Sequence, residues 1–299
     1  MTISSAVAGH GQSTSPSLRS RFAKNFARFL SSPLNCFSLG LTTLLFLLAL
    51  LAPIIAPYPY EQINPANSLS PPTWEHIMGT DQVGRDIFSR VLYGARISLS
   101  MAVMTIIVGL ASGVFVGAVS GYLGGVADEV IMRVVEVFMS IPGIILALAL
   151  VAVLGPSPLF IVLALSIRRI TQFARVTRGA VLGVKALDYV AACRVIGMSN
   201  VRILFFHVLP NCIGPIIVLA TVLMGNVILL ESTLSFLGLG IQEPTPSWGT
   251  MIAAGNELLT FAPWLSLFPG GFLFLTMLAF NLLGDGVRDY LDPRGASVI

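Results

Sequence analysis

The feature that most constrains this chain is a set of nearly uncharged, apolar runs, each long enough to cross a lipid bilayer. A membrane-spanning helix needs about 20 mostly apolar residues. Five such runs are plain: Leu39–Ile55, Ile97–Val119, Val130–Leu154, Ile213–Leu230 and Leu265–Leu283. Only 10% of the 299 residues are charged and 55% are hydrophobic, whereas about a quarter of the residues in a soluble protein are charged. We therefore predict an all-α integral membrane protein.

A sixth run, Leu159–Ile167, is shorter and ends at the adjacent Arg168 and Arg169. Charge distribution, not hydropathy, predicts that it also crosses the membrane. The segment 168–202 contains seven of the 17 basic residues, and the N-terminal tail contains four. Basic residues concentrate on the cytoplasmic side, and both segments lie there only if this sixth run crosses. We predict six transmembrane helices with both termini in the cytoplasm.

These spans divide the chain into four predicted segments. They are a cytoplasmic tail at 1–35, the first span with an outer loop at 36–96, the remaining spans at 97–286, and a second cytoplasmic tail at 287–299. In the first tail, apolar residues recur at helical spacing among basic ones, namely Leu18, Phe22, Phe26 and Phe29. This pattern predicts an amphipathic helix on the inner leaflet, and a frayed basic tail is the alternative.

The polar residues form no recognisable catalytic or nucleotide-binding motif. The two lysines, Lys24 and Lys185, do not follow the glycines of a phosphate-binding loop. The three histidines are far apart and lack a carboxylate or cysteine at metal-ligand spacing. We therefore predict that the chain is not an enzyme, holds no cofactor or metal of its own, and has no nucleic-acid partner.

The cytoplasmic segment 188–211 predicts two short helices joined by a glycine turn. Small residues at 191–193 lie on one face and allow close approach by another surface. Gly197 forms the turn, and the second helix is expected to stop at Pro210, where the fifth span starts. A solvated basic loop beside the membrane is the alternative. That alternative does not explain the small residues or the interval between Gly197 and Pro210.

This segment resembles the cytoplasmic loop of permease subunits of ATP-binding-cassette importers. The family pattern is Glu-Ala-Ala, three residues, Gly, nine residues, then Ile-x-Leu-Pro. The candidate ATPase-coupling residues are Tyr189, Ala191, Ala192, Cys193, Gly197, His207, Leu209 and Pro210. Ala191 replaces the glutamate of many members and His207 replaces the isoleucine. The resemblance therefore implies docking to an ATPase subunit, without a glutamate contact.

A second resemblance, to the dipeptide, oligopeptide and nickel branch of these permeases, rests on four motifs in order, at 76–99, 234–240, 247–250 and 281–294. The signature residues of the first motif are Gly79, Thr80, Asp81, Gly84, Arg85, Asp86 and Arg90. Elementary chemistry gives this motif a structural role: its glycines bend the chain, its acids cap a helix start, and its arginines, with Arg96, pair with those acids. Docking of a partner is the alternative.

Together the resemblances imply the type I importer permease fold, with 97–286 as the transmembrane permease domain and 185–211 as its coupling loop. They imply half of the translocation pathway of an ATP-driven importer for di- or oligopeptides or related small solutes in the bacterial cytoplasmic (inner) membrane. The implied partners are a second homologous permease, two ATPase subunits that use ATP and Mg, an extracytoplasmic binding protein and membrane lipid.

A proton-coupled secondary carrier acting alone is the competing function. Such carriers usually show internal repeats and intramembrane carboxylates. The two halves of this sequence show no repeat, and its acids lie mostly at the ends of spans.

Arg168 and Arg169 are candidate contacts for the cargo. A charged residue near the bilayer centre costs about 2.5 to 3.5 kcal/mol, so the fourth span is expected inside the bundle. Adjacent residues lie about 100° apart on a helix, and at most one of the two faces the passage. Either that arginine binds a carboxylate of the cargo, or both reach phosphates of the inner leaflet.

Overall fold

The computed structural model describes residues 29–291, and the regular elements in that range are helical, which confirms the all-α prediction. The helices are α1 (Pro33–Ile55), α2 (Ile87–Leu123), α3 (Gly125–Ser140), α4 (Gly143–Leu154), α5 (Pro158–Lys185), α6 (Asp188–Val195), α7 (Asn200–Ile203), α8 (Ile213–Phe236), α9 (Trp248–Asn256) and α10 (Trp264–Leu291). A π-helical turn, Leu204–Val208, and 3-10 turns at Pro65–Asn67 and Leu209–Cys212 connect them. Except for Phe29, the interfacial helix predicted in the N-terminal tail lies outside this range, as do the residues after 291.

Four helical segments are long and apolar enough to cross a membrane by themselves. They are α1, α2, α10 and the segment Asn200–Phe236, which contains α8. The bent pair of α3 and α4 makes a fifth candidate if it counts as one span. α5 is 28 residues long but carries four arginines and a lysine. Its composition is therefore too polar for it to count as a candidate span. The structure therefore shows four to five candidate spans.

The third predicted span, Val130–Leu154, is wrong as a continuous helix. The chain breaks between Ser140 and Gly143, and α3 and α4 meet at 87°. Pro142 explains the break, because proline disfavours helical backbone in the preceding residue. Ile141 is accordingly extended, with φ −86° and ψ 127°.

The second span is longer than predicted. α2 begins at Ile87 and not at Ile97, because the side chain of Asp86 caps its first turn by accepting the backbone N–H of Ser89 at 2.8 Å. The helix then runs for 37 residues to Leu123. Arg90 and Arg96, expected in the outer loop, therefore lie on α2.

A ladder of four glycines brings α2 against α5, the most extensive helix contact in residues 29–291. The glycines follow one another at intervals of four: Gly109, Gly113, Gly117 and Gly121. Residues four apart share one face of a helix. A Cβ on Gly117 would lie 2.2 Å from the carbonyl oxygen of Ala174, and one on Gly109 would lie 2.4 Å from the Cβ of Arg169. Small residues are what allow membrane helices to approach this closely, so the ladder holds α5 inside the bundle.

The main apolar core lies where α2, α5 and α8 meet, around Leu99, Phe173 and Val227. α10 packs along α8, where Gly284 lies close to Val222. α1 packs on the outside of this group against α2 and α10. Two ends of the bundle result, one bearing the loop 56–86 and the other bearing the segment 185–211, which is named the coupling loop after the role predicted for it.

Candidate functional site

The coupling loop begins directly after α5 with the short helix α6. Gly197 ends that helix in the left-handed region, with φ +82°. Its N–H donates to the carbonyl of Arg194 at 3.0 Å, and the N–H of Met198 donates to the carbonyl of Cys193 at 3.1 Å. These bonds satisfy carbonyl groups that a helix end leaves without partners, so the predicted glycine turn is confirmed.

The prediction that Pro210 stops the second short helix is wrong. The chain continues as helix from Asn200 to Phe236, passing through the π-helical turn and the 3-10 turn around Leu209 and Pro210. Non-α turns of this kind accommodate a residue that lacks a backbone N–H. Two side chains donate to the carbonyl of His207 there: the amide of Asn211 at 2.7 Å and the hydroxyl of Tyr189 at 3.1 Å.

The three small residues of α6 do not share one face. Ala191 and Ala192 are exposed, whereas Cys193 is half-buried and packs on the main core. Consecutive residues point about 100° apart on a helix, which explains the difference. Leu209 also packs on the core, while Pro210 is exposed.

The coupling loop exposes large apolar side chains that the sequence analysis did not single out. They are Val195 (87% exposed), Ile196 (74%), Val201 (68%) and Phe206 (73%). Contiguous exposed apolar surface usually marks a site covered by another molecule. The exposed Ala191 and Ala192 belong to the same loop.

Tyr122, near the end of α2, ties the coupling loop to the bundle. Its hydroxyl donates to the Asn200 side chain at 2.9 Å, and its carbonyl accepts from Lys185 Nζ at 2.6 Å. Lys185 and Arg194 also lie over its ring, 5.5 and 5.9 Å from the ring centroid, within the range of cation–π attraction. These contacts join the end of α5 and residues of both short helices of the loop to the end of α2.

A bidentate ion pair lies near these contacts of Tyr122. Arg178 of α5 donates from Nε and Nη2 to the two carboxylate oxygens of Asp128, at 2.6 Å each. Ser120 of α2 donates to the same carboxylate. The pair joins the ends of α2, α3 and α5, and sequence reasoning missed it because its members are 50 residues apart.

At the opposite end, the signature residues build a compact loop. Gly79 and Gly84 both have φ +78°, which confirms that they bend the chain. A Cβ on Gly84 would lie 1.8 Å from the carbonyl oxygen of Asn64, so a side chain has no room there. Thr80 is buried, and its carbonyl accepts the indole N–H of Trp264 at 3.2 Å.

Asp81, Arg85 and Arg90 form an ion-pair cluster with Glu243, from the chain between α8 and α9. Arg85 Nε lies 2.6 Å from Asp81, and Arg90 Nη2 lies 2.8 Å from Glu243. Burial disfavours the charged form of Arg85, but hydrogen bonding to Asp81 and the charges of Asp81 and Glu243 outweigh burial and raise its pKa. Arg90 is only 2% exposed, so the cluster packs the loop against the helices.

Asp86 caps α2 and also accepts from His76 Nδ1 at 2.9 Å. The predicted pairing of Arg96 with these acids is wrong. Arg96 is exposed on α2, and among residues 29–291 no carboxylate lies within ion-pair distance of it. The structural role predicted for the motif thus holds for Arg85 and Arg90 but not for Arg96.

The structure separates Arg168 from Arg169. Arg168 packs over Gly143, and its Nη1 donates to the carbonyl of Met139 at 2.8 Å. Met139 belongs to the last turn of α3, whose carbonyls lack helical partners, so Arg168 stabilises the break between α3 and α4. Arg169 points into the bundle, is 2% exposed, and donates to Gln172 and Asn226 at 2.7 and 2.6 Å.

Glu231 of α8 is a buried carboxyl that the sequence analysis missed. It is 0% exposed and accepts from the hydroxyls of Ser98 at 3.0 Å and Ser235 at 2.9 Å. The predicted fifth span ended one residue earlier, at Leu230, which put Glu231 outside the membrane. Ser232 and Ser235, close to it in the sequence, were the available signal for a polar site inside the helix.

Several candidate spans, a glycine-packed helix pair and an exposed apolar loop define the class of multi-pass helical membrane proteins. The chain belongs to the family described as binding-protein-dependent transport system inner membrane component, whose profile matches residues 113–296. Residues 20–72 match the N-terminal TM domain of oligopeptide transport permease C.

Curated relatives match over most of the chain. The dipeptide transport system permease protein of Alkalihalophilus pseudofirmus is 40% identical over 90% of this chain and 88% of its own. The oligopeptide transport system permease protein of Bacillus subtilis is 39% identical over 97% and 95%. The glutathione transport system permease protein of Escherichia coli O6:K15:H31 is 44% identical over 84% and 83%.

These matches confirm the resemblance to the branch and the prediction of a multi-pass protein of the cytoplasmic membrane. The family is a transport family and not an enzyme family. It does not support a proton-coupled carrier that acts alone.

Proposed function

We propose that this chain is one of two permease subunits of an ATP-driven importer for di- or oligopeptides or related small solutes. One observation carries the proposal: relatives named for dipeptide, oligopeptide and glutathione transport match 84% to 97% of the chain at about 40% identity. The chain has no phosphate-binding loop, so ATP and Mg belong to partner ATPase subunits in this scheme, and the chain itself holds no cofactor.

The proposed topology has six spans, with both termini in the cytoplasm and a type I importer permease fold. The doubtful span is α5, because of its five basic residues. The glycine ladder of α2 and the hydrogen bonds of Arg168 and Arg169 support its crossing. They bury the backbone contact and the charge of Arg169 within the protein and leave Arg168 half-buried. A charged residue in a membrane helix normally lies in the protein interior.

Each of two ATPase subunits is proposed to bind one permease through the coupling loop. The exposed apolar residues Val195, Ile196 and Phe206 supply contact surface, and the exposed Ala191 and Ala192 allow close approach. Because α6 follows α5 directly and Tyr122 ties the loop to α2, closure of the ATPases would move these helices together. The second homologous permease would complete the pathway.

The extracytoplasmic binding protein is proposed to dock at the opposite end of the bundle, which carries the signature loop. The ion pairs among Asp81, Arg85, Arg90 and Glu243 give this loop a fixed shape. A rigid platform avoids the entropy loss of ordering a flexible loop when the partner binds.

The test is uptake by proteoliposomes that contain the complete transporter with its binding protein. We expect uptake of a labelled peptide to require ATP on the ATPase side and to survive an uncoupler that collapses the proton gradient. A matched sample with a hydrolysis-deficient ATPase should show no uptake. Uptake abolished by the uncoupler at constant ATP would contradict the proposal.

A further inference from the structure

Arg169 is a buried guanidinium with unused hydrogen-bonding capacity. Its side chain donates to the amide oxygens of Gln172 and Asn226, while its Nε is buried without a hydrogen-bond partner. Within residues 29–291, no carboxylate lies within 4.0 Å of it. An uncompensated buried charge is unfavourable unless an anion approaches it.

Arg169 fixes the orientation of the side-chain amides of Gln172 and Asn226. A guanidinium carries only donors, so each amide must turn its oxygen toward Arg169. The NH₂ groups of Gln172 and Asn226 therefore turn away from the buried charge. Gln172 is half-buried and Asn226 is exposed, so the outward surface presents amide donors in front of a positive charge.

Asn226 lies near the middle of α8, far from either end of this apolar helix. Lipid offers no acceptor for an exposed amide, and polar groups at this depth normally face a cavity or another subunit. The neighbouring residues on α8, Gly225 and Val227, are buried, so Asn226 marks a polar spot on the surface of the bundle.

We propose that Asn226 and Gln172, held and polarised by Arg169, form a binding site for a carboxylate of the cargo within the translocation passage. The inference rests on the proposed function and names the chemical group that the site takes. Asn226 and Gln172 make the contacts, and Arg169 is a positioning residue that also supplies charge. Arg168 takes no part, because it bonds to Met139 at the break between α3 and α4.

A carboxylate of the second permease would be the other way to compensate this charge. The cargo is favoured because Arg169 is already 2% exposed within this chain. A group that reaches it must enter between two side chains, which suits a small mobile ligand. The experiment distinguishes a carboxylate of the cargo from a carboxylate of the second permease.

The experiment compares ATP-dependent uptake of trialanine and its C-terminal amide by the complete reconstituted transporter. Each peptide is supplied at a concentration that saturates the binding protein, which is the same in all samples. The variant Asn226→Asp replaces an outward donor with an acceptor and places a carboxylate beside Arg169. We expect uptake of trialanine to fall about tenfold or more, with little change for the amide. Gln172→Glu should repeat this selective loss.

Asn281→Asp is the matched control. Asn281 is exposed on α10, near Gly225 and therefore at a similar depth, but no arginine bonds to it. This control should leave the ratio of the two uptake rates at the wild-type value. If wild-type vesicles take up neither peptide, the peptide cargo of the proposed function is contradicted, and this inference fails with it.

A wild type that transports while Asn226→Asp and Gln172→Glu slow both peptides equally would overturn the inference alone. That result would assign the two amides to packing or to an acid of the second permease. Unchanged uptake of both peptides by both variants would overturn it as well.

Discussion

At the scale of single residues, the glycines of α2 decide how closely the bundle packs. Gly117 lies against the backbone of Ala174, where even a methyl group would overlap the carbonyl oxygen. Backbone atoms cannot move aside as a flexible side chain can, so the helices must separate if a side chain is added. The ladder thus sets the distance between α2 and α5.

Replacing Gly117 with valine should therefore destabilise the chain. We expect a loss of about 1 to 3 kcal/mol or more from overpacking, measured as a lower midpoint of thermal unfolding in detergent. Gly179→Val on α5 is the control, because a Cβ there meets nothing within 4 Å. Equal midpoints for the two variants would show that the ladder is not a tight contact.

Some residue-level features could be predicted and others could not. The bends at Gly79 and Gly84 and the cap at Asp86 depend on local backbone geometry, which residue type reveals. The glycine ladder was visible as a spacing of four but was overlooked. The contact of Arg169 with Asn226 was not predictable, because Asn226 lies 57 residues along the chain on another helix and only tertiary packing brings it there.

At the scale of elements, the conformation of the coupling loop depends on the turn at Gly197. Gly197 adopts φ +82°, which favours glycine and tolerates asparagine better than other residues. Nothing lies within 4 Å of a Cβ built there. Backbone conformation, and not space, is therefore the constraint at this position.

Gly197→Val should distort the turn at a cost of about 1 to 2 kcal/mol, whereas Gly197→Asn should be tolerated. We expect the valine variant to insert normally but to lose most of its ATPase partner during co-purification. Gly183→Val, at an exposed and open helical position of α5, controls for added bulk. Normal recovery of the ATPase with normal transport by Gly197→Val would refute the role of the turn.

The apolar runs predicted the existence of long helices better than their limits. All five plain runs are helical, but the run at 130–154 is two helices because of Pro142. α2 gained ten residues at its start because the cap at Asp86 outweighs the polar residues that follow it. Hydropathy underestimates the helix α5, because α5 is stabilised by contacts with α2 that hydropathy does not measure.

At the scale of the whole molecule, the number of crossings depends on α5 and on whether the bent pair of α3 and α4 crosses as one span. If α5 crosses, the turn before it and the coupling loop after it lie on opposite sides of the membrane. If α5 lies flat on one surface, both lie on the same side. Trp74, in the loop 56–86 and 102% exposed, supplies a reference point for the face opposite the coupling loop.

Single cysteines in a chain whose Cys36, Cys193 and Cys212 are replaced by serine test this topology. We expect a membrane-impermeant maleimide to label Trp74→Cys and Ser157→Cys in intact cells. Val195→Cys, at an 87% exposed position, should label only after permeabilisation. Labelling of Ser157→Cys and Val195→Cys under the same condition would show that α5 does not cross.

The glycine ladder has a mechanical consequence. α2 has 37 residues, so at 1.5 Å per residue it is about 55 Å long. Its contact with α5 makes the pair a stiff lever with the coupling loop at one end and the Asp86 cap at the other. If the pair tilted by about 5° around its end at the coupling loop, the far end of α2 would move by about 5 Å. That distance is roughly the spacing of two neighbouring strands in a β-sheet.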